Sequence, residues 1–251
     1  MHSSHAALDL VGRKPKAEKI RRLIPIPDNG QATLRLLEVG TGSGAIAQFF
    51  SDLASLHFDV WAVDVEDQRI VTEGYQFRLY DGQKLPFDDD LFDVVISNHV
   101  IEHVGNRAQQ ASHISELCRV LRPGGYIYLA TPSRWQVIEP HFSLPFLSWI
   151  PRRWRDRYVR FAGKGEKYDC DLLRPIELQQ LLSVSGLSYK NLNIQAFIEL
   201  ITLEHPKGML VRVASRMPRT WLERLHSFSP TMIYLLHKSH SLDEPKAAGE
   251  K

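Results

Sequence analysis

Residues 33–50 read TLRLLEVGTGSGAIAQFF, and the order of residue types in this stretch decides the fold. Thr33 to Val39 is a short apolar run of strand type. Gly40-Thr41-Gly42-Ser43-Gly44 follows, a turn whose missing side chains let backbone approach a ligand closely. Ala45 to Leu56 has the pattern of a helix, so the turn delivers the free N–H groups of a helix start to whatever lies above it. Gly40, Gly42 and Ala45 satisfy the spacing of the dinucleotide fingerprint. Asp64 stands 20 residues past Gly44, where a ribose-binding carboxylate belongs.

Working outward, Phe58 to Val63 is a second strand, Phe77 to Tyr80 a weaker third, and Phe92 to Ser97 a nearly all-apolar fourth. A run of that kind suits a parallel strand covered on both faces. Asn106 caps a helix that presents Ile114, Leu117, Cys118 and Leu121 on one side. Arg122-Pro123-Gly124-Gly125 stops it, and Tyr126 to Thr131 is a fifth strand. Before the first strand, residues 13–24 hold six basic residues, one acid and the stripe Ile20, Leu23, Ile24, the mark of a peripheral helix. Pro175 to Leu182 reads as helix, and Leu187 to Phe197 and Thr231 to His237 read as late strands. Strands alternating with helices predict right-handed crossovers and a doubly wound α/β sheet.

The chain has 251 residues, with a hydrophobic fraction of 43% and a charged fraction of 24%, which excludes wholesale disorder. Lys plus Arg is 31 and Asp plus Glu 29, a net of +2, so it lacks the surplus of a protein that grips long nucleic acid by its phosphates. No nucleic-acid partner is expected. Two cysteines, Cys118 and Cys170, cannot form a disulfide framework or a four-thiolate zinc site. They fit a reducing compartment. The first 19 residues lack a signal-peptide core and no apolar run would span a bilayer. The expectation is a soluble, cytoplasmic protein.

Glu38, two residues before Gly40, would repel a pyrophosphate but suit a cofactor carrying an amino group and a sulfonium centre. Here the sequence resembles class I S-adenosylmethionine-dependent methyltransferases, whose first motif alternates an acid and glycines as Glu38-Val39-Gly40-Thr41-Gly42-Ser43-Gly44 does. The resemblance continues in order through Asp64-Val65, Asp81 to Phe87, Phe92 to Asn98, and Leu121 to Gly125, and is closest to the type 11 branch. It implies a seven-stranded, Rossmann-like, mostly parallel sheet with an antiparallel late strand. It implies S-adenosyl-L-methionine as cofactor, held by Glu38, Gly40, Gly42, Gly44, Asp64 at the ribose, Val65 beside the adenine, Asp81 at the adenine amino group, Gly82 and Asn98. The whole of 1–251 then reads as one methyltransferase domain: 13–132 the cofactor half, 133–175 and 198–230 lid insertions that select substrate, and 239–251 a mobile tail.

His99-Val100-Ile101-Glu102-His103 has the form of an inverted zinc-protease motif. That motif needs a helix, whereas this stretch follows a buried strand directly, so no metal is expected. His99 and His141 are the candidate catalytic bases, since imidazole titrates near neutral pH. In the first lid, Arg152-Arg153-Trp154-Arg155-Asp156-Arg157-Tyr158-Val159-Arg160 sets five arginines against one aspartate. With Trp149 it forms a basic, aromatic surface over 149–160 suited to a peripheral contact with anionic membrane, or to a solvated helix packed by its aromatics. The segment from Thr131-Pro132 to Glu139-Pro140-His141 resembles type 11 enzymes of cell-envelope pathways. The reading is methyl transfer, to an oxygen of a small or lipid- or saccharide-linked acceptor. The alternatives are a cofactor-binding regulatory module without turnover and a nicotinamide-dependent oxidoreductase.

Overall fold

Strand β1 (Leu34–Val39) sends its side chains alternately to two apolar layers, and this period-2 pattern organises both faces of the sheet. The computed structural model describes residues 10–26, 33–54, 56–139, 141–204 and 229–239. Leu36 packs with Ile46, Phe50, Ala62 and Ile96 on one face, and Leu37 and Val39 with Val63, Ile114 and Leu117 on the other. Each such large side chain taken from water contributes about 1.5–3 kcal/mol.

The remaining elements, in chain order, begin with α1 (Leu10–Leu23) ahead of β1. After β1 come α2 (Ala45–Ser51), β2 (Phe58–Asp64), β3 (Gln76–Leu79), β4 (Phe92–Asn98), α3 (Arg107–Val120) and β5 (Leu121–Pro132). Then follow β6 (Ile138–Glu139), β7 (Leu144–Pro145), α4 (Arg152–Phe161), α5 (Pro175–Ser183), β8 (Ser188–Asn191), α6 (Asn193–Glu204) and β9 (Thr231–His237). Seven strands form one open sheet in the order β3-β2-β1-β4-β5-β9-β8, and β6 and β7 pair separately in the lid. Strands β1 to β5 are mutually parallel, while β9 runs antiparallel between β5 and β8. This is the architecture the sequence predicts.

Several elements differ from expectation for identifiable reasons. The first helix is a core element, because Ala17 and Ile20 are fully buried and pack on the layer of α2. The run 121–125 does not break the chain between helix and strand. It bulges inside β5, where Gly124 takes a left-handed φ of 81° and its N–H donates to the Lys238 carbonyl. The strand expected over 187–197 is short, because Asn191 Oδ1 accepts the Asn193 N–H and turns the chain into α6. The lid holds a ten-residue helix, α4. Most of the second insertion, 205–228, and the tail beyond residue 239 lie outside the described residues.

The adjacent carboxyl ends of β2, β1, β4 and β5 gather Asp64, the glycine turn, Asn98 and Thr131 along one edge.

Candidate functional site

The glycine turn is built by hydrogen bonds rather than by packing of its own side chains. Gly40 and Thr41 donate their N–H groups to the Val63 carbonyl at 2.9 and 3.3 Å, fastening the turn to the end of β2. Gly40 has φ 73° and Gly44 φ 81°, conformations that side chains rarely adopt. A methyl on Gly40 would collide with Val100, and one on Gly44 with the Tyr75 hydroxyl and the Val71 carbonyl. Gly42, with φ 54°, completes the alternation.

Asp64 ends β2 half-buried, with Oδ2 accepting the Gly42 N–H at 2.9 Å and Oδ1 accepting the Val65 N–H at 2.8 Å. Each carboxylate oxygen keeps a further lone pair for a hydroxyl donor. Val65 is exposed and lies against Gly82, which brings the ends of β2 and β3 together. Asp81 is exposed, its Oδ1 held by the N–H groups of Gln83 and Lys84 at 2.9 and 3.3 Å. Asn98 is the half-buried last residue of β4. A line of carboxylates, exposed apolar surface and side-chain-free backbone of this kind suits a nucleoside bearing a cationic tail.

Glu38 lies beneath the turn. It is buried, and its Oε2 accepts the Thr41 hydroxyl at 2.7 Å and the Ala47 N–H at 3.0 Å. Burial pushes its carboxyl up to about 8, against the pull of Thr41, Arg13 and Ala47, with Asp64 pushing further. It ties β1, the turn and α2 together from beneath the turn.

Beyond β4 the chain turns sharply. His99 has φ 61°, a conformation in which histidine is enriched, and its N–H donates to the Ala130 carbonyl at 2.8 Å. Its Nδ1 lies 3.5 Å from Oε1 of Glu102, a fully buried carboxylate whose Oε2 accepts the Thr131 hydroxyl at 3.0 Å. Burial works against ionisation of Glu102, but His99 and His103 outweigh it and hold the carboxyl below its ordinary value. Residues 101–104 form a turn, not a helix, and His103 points elsewhere than His99. The inverted zinc-protease arrangement is therefore absent here.

His141 sits between β6 and β7, its Nδ1 on Glu139 Oε1 at 2.7 Å and its Nε2 3.1 Å from Nε2 of His103. Burial lowers its pKa, but Glu139 raises it more, so the net shift is upward. His99 and His141 thus belong to separate imidazole–carboxylate pairs. Sequence reasoning gave no carboxylate-partner role to Glu102 or Glu139, although each lies within three residues of its histidine, and it missed Cys170 beside His103 because that contact joins segments far apart in the chain. It also missed Lys16 of α1, whose ammonium is pushed down to about 8 by burial and by Arg13 and Lys19, while Glu102 pulls it back up.

The basic stretch 149–160 divides. Arg152, Arg153, Arg157 and Arg160 are exposed, as are Trp149 and Trp154. Arg155 is buried, donating to the carbonyls of Ile150 and Ser148, and so belongs to the lid interior rather than to a charged face. Among the described residues, no helix is long and apolar enough to cross a membrane.

A family model described as a methyltransferase domain matches residues 37–129. The chain is similar to the ubiquinone biosynthesis O-methyltransferase of Rickettsia typhi, 30% identical over 66% of this chain and 69% of that protein. It is also similar to the ubiquinone/menaquinone biosynthesis C-methyltransferase of Laribacter hongkongensis, 25% identical over 64% of this chain and 70% of that protein. By name these relatives act in quinone biosynthesis, not in the cell-envelope pathways the lid sequence suggested. In fold the chain is similar to a structure described as a Haloferax volcanii Trm112 methyltransferase activator in complex with a putative methyltransferase. That likeness has a TM-score of 0.53 at 15% identity, covering 96% of this chain and 100% of that one.

The buried carboxyl gives a direct test. Glu38→Ala should cost about 2–4 kcal/mol in chemical denaturation, because the Thr41 hydroxyl and Ala47 N–H lose their acceptor. Glu38→Gln retains an acceptor and should stay within about 1 kcal/mol of the parent. A carboxyl whose folded pKa of about 8 exceeds its unfolded value near 4.5 gives up stability as pH rises through that window. The fall in stability between about pH 4.5 and 8 should therefore be shallower in Glu38→Gln; an unchanged slope would show that Glu38 is ionised in the fold.

Proposed function

The chain belongs to the type 11 branch of the class I S-adenosylmethionine-dependent methyltransferases, and from that premise we propose that it methylates an aromatic hydroxyl of a quinone-type precursor, with His99 as general base. It is a methyltransferase and its cofactor is S-adenosyl-L-methionine. The observation that carries the finer reading is the convergence of Asp64, the glycine turn and the His99–Glu102 pair along the carboxyl ends of β2, β1 and β4. In open α/β sheets ligands bind at that edge.

The cofactor-holding roles follow from the donor set. Asp64 accepts the ribose hydroxyls, Asp81 the adenine amino group, and Val65 and Gly82 lie against the adenine. Gly40, Gly42 and Gly44 let the amino-acid tail approach the backbone because they carry no side chain, their N–H groups being spent on Val63, Asp64 and Thr41, and Asn98 offers its side-chain amide. Glu38 acts at one remove, by holding the turn in shape. When bound, S-adenosylmethionine supplies a methyl already activated on sulfonium, so the protein's work is positioning and proton handling. Positioning of well-oriented groups lowers a barrier by up to about 7–11 kcal/mol.

His99 takes the phenolic proton at Nε2 as the oxygen attacks. Its Nδ1 faces Glu102, whose buried carboxylate sets the imidazole orientation and stabilises the imidazolium that forms. His141 is less suited to this step, since Glu139 and His103 occupy both its ring nitrogens. The lid over 133–175 selects the acceptor, and an apolar quinone precursor would partition into lipid. The exposed Trp149, Trp154 and Phe161 beside four exposed arginines support a peripheral contact with anionic membrane.

Asp64→Ala should abolish S-adenosylmethionine binding in calorimetry, and retained affinity would remove Asp64 from the ribose. His99→Asn should lower kcat for S-adenosylhomocysteine release with a catechol-type quinone precursor by about 10²–10⁴, without weakening cofactor binding. Methyl found on ring carbon in the product would replace the oxygen assignment. For the membrane contact, alanine at Arg152, Arg153, Arg157 and Arg160 should reduce co-sedimentation with anionic vesicles, each arginine counting for about 1 kcal/mol at low salt. Vesicle binding unchanged by these substitutions would discard that surface.

A further inference from the structure

Three segments far apart in the chain converge beside the base. The turn after β4 contributes His103, the turn between β6 and β7 contributes His141, and the irregular stretch between α4 and α5 contributes Cys170. The approach is enforced by backbone. The Asp171 N–H donates to the Glu102 carbonyl at 2.8 Å, and the buried Gln110 amide donates to both the Ile101 and Asp171 carbonyls, at 3.2 and 2.8 Å. One ligand-type atom from each of the three residues lies within 4.8 Å of the others.

Taking one donor atom from each residue, the three lie within 4.8 Å of one another, a little wider than a bound ion would hold them. His103 meets its neighbours through both ring nitrogens, Nε2 at 3.1 Å from His141 Nε2 and Nδ1 at 3.7 Å from Cys170 Sγ, and only one of the two would face the ion. Around a tetrahedral zinc ion, with Zn–N about 2.0–2.1 Å and Zn–S about 2.3 Å, neighbouring donors stand roughly 3.3–3.6 Å apart. His141 is also prepared as a ligand: its Nδ1–H donates to the fully buried Glu139, which also accepts the N–H groups of His141 and Phe142 at 2.9 and 2.7 Å. A carboxylate behind a histidine in this way fixes the tautomer that leaves Nε2 as the donor atom.

An independent observation concerns Glu102. Its buried Oε1 accepts no close hydrogen bond and lies between His99 Nδ1 at 3.5 Å and His141 Nε2 at 4.0 Å. A buried carboxylate oxygen with only these loose contacts gains from a cation nearby.

We propose that His103, His141 and Cys170 bind a divalent ion of zinc type, with Glu102 Oε1 or a water in the fourth position. Two imidazoles and a thiolate favour zinc over magnesium or calcium, which prefer oxygen ligands. Binding converts the Cys170 thiol to thiolate and releases its proton to solvent, so affinity falls as pH is lowered. Because the ligands come from the sheet edge and from two parts of the lid, the ion ties the lid to the strand ends. The site is independent of which acceptor is methylated, and its failure would leave the proposed methyl transfer standing.

The test uses the full chain, stripped with a chelator and titrated with zinc chloride. One zinc per chain is expected, at micromolar or tighter dissociation constant and with a rise in Tm, while magnesium chloride gives none. Cys170→Ser and His141→Asn should each weaken zinc binding at least tenfold, and Cys118→Ser should leave it unchanged. Cobalt chloride should produce a sulfur-to-metal charge-transfer band in the parent chain, a readout that does not depend on any variant folding. Absence of that band, sub-stoichiometric zinc, or equal affinity in folded Cys170→Ser would overturn the site.

Discussion

A turn made of glycines has no side chains with which to hold itself, so its shape must be imposed from beneath, and Glu38 imposes it. One carboxyl oxygen takes the Thr41 hydroxyl and the Ala47 N–H in the first turn of α2, while the strand that carries it, β1, is buried over most of its length. Burial pushes the carboxyl upward while the two donors on Oε2 pull it down, and burial prevails. The charge presented to the cleft comes from Asp64 and Asp81, both solvent-accessible, and the turn they flank is kept open by Glu38 from the inside.

The cofactor half was legible because its signals are local. Leu34 to Val39, the alternating glycines, and the acid closing β2 are each read from a few neighbouring residues, and the Asn106 cap forms with Gln109 as the spacing suggests. Where the sequence misled, a single side chain or a distant strand decided. Asn191 converts an apolar run into a helix start, and the antiparallel β9 receives Gly124 and keeps 121–125 extended. Nothing near Gly124 in sequence announces Lys238.

The lid was the least legible part, because its architecture depends on polar groups that meet only after folding. Arg155 lies in a row of arginines, yet the carbonyls of Ser148 and Ile150 and the Tyr168 ring receive it, so that it packs the lid while its neighbours face water. Cys170 gave no local signal, since it acquires its meaning from His103, a histidine supplied by another segment, whereas Glu139 meets its own near neighbour His141.

Glu102 joins the two histidine systems. Its Oε2 is spent on Thr131 at the end of β5, and its Oε1 lies between His99 on one side and His141 on the other, at 3.5 and 4.0 Å. A single buried negative charge cannot serve two imidazolium ions equally, because a cation on one side lowers the field felt on the other. The proposed ion between His103, His141 and Cys170 would therefore draw on the same carboxylate oxygen that faces His99, so that lid and strand end meet at one atom.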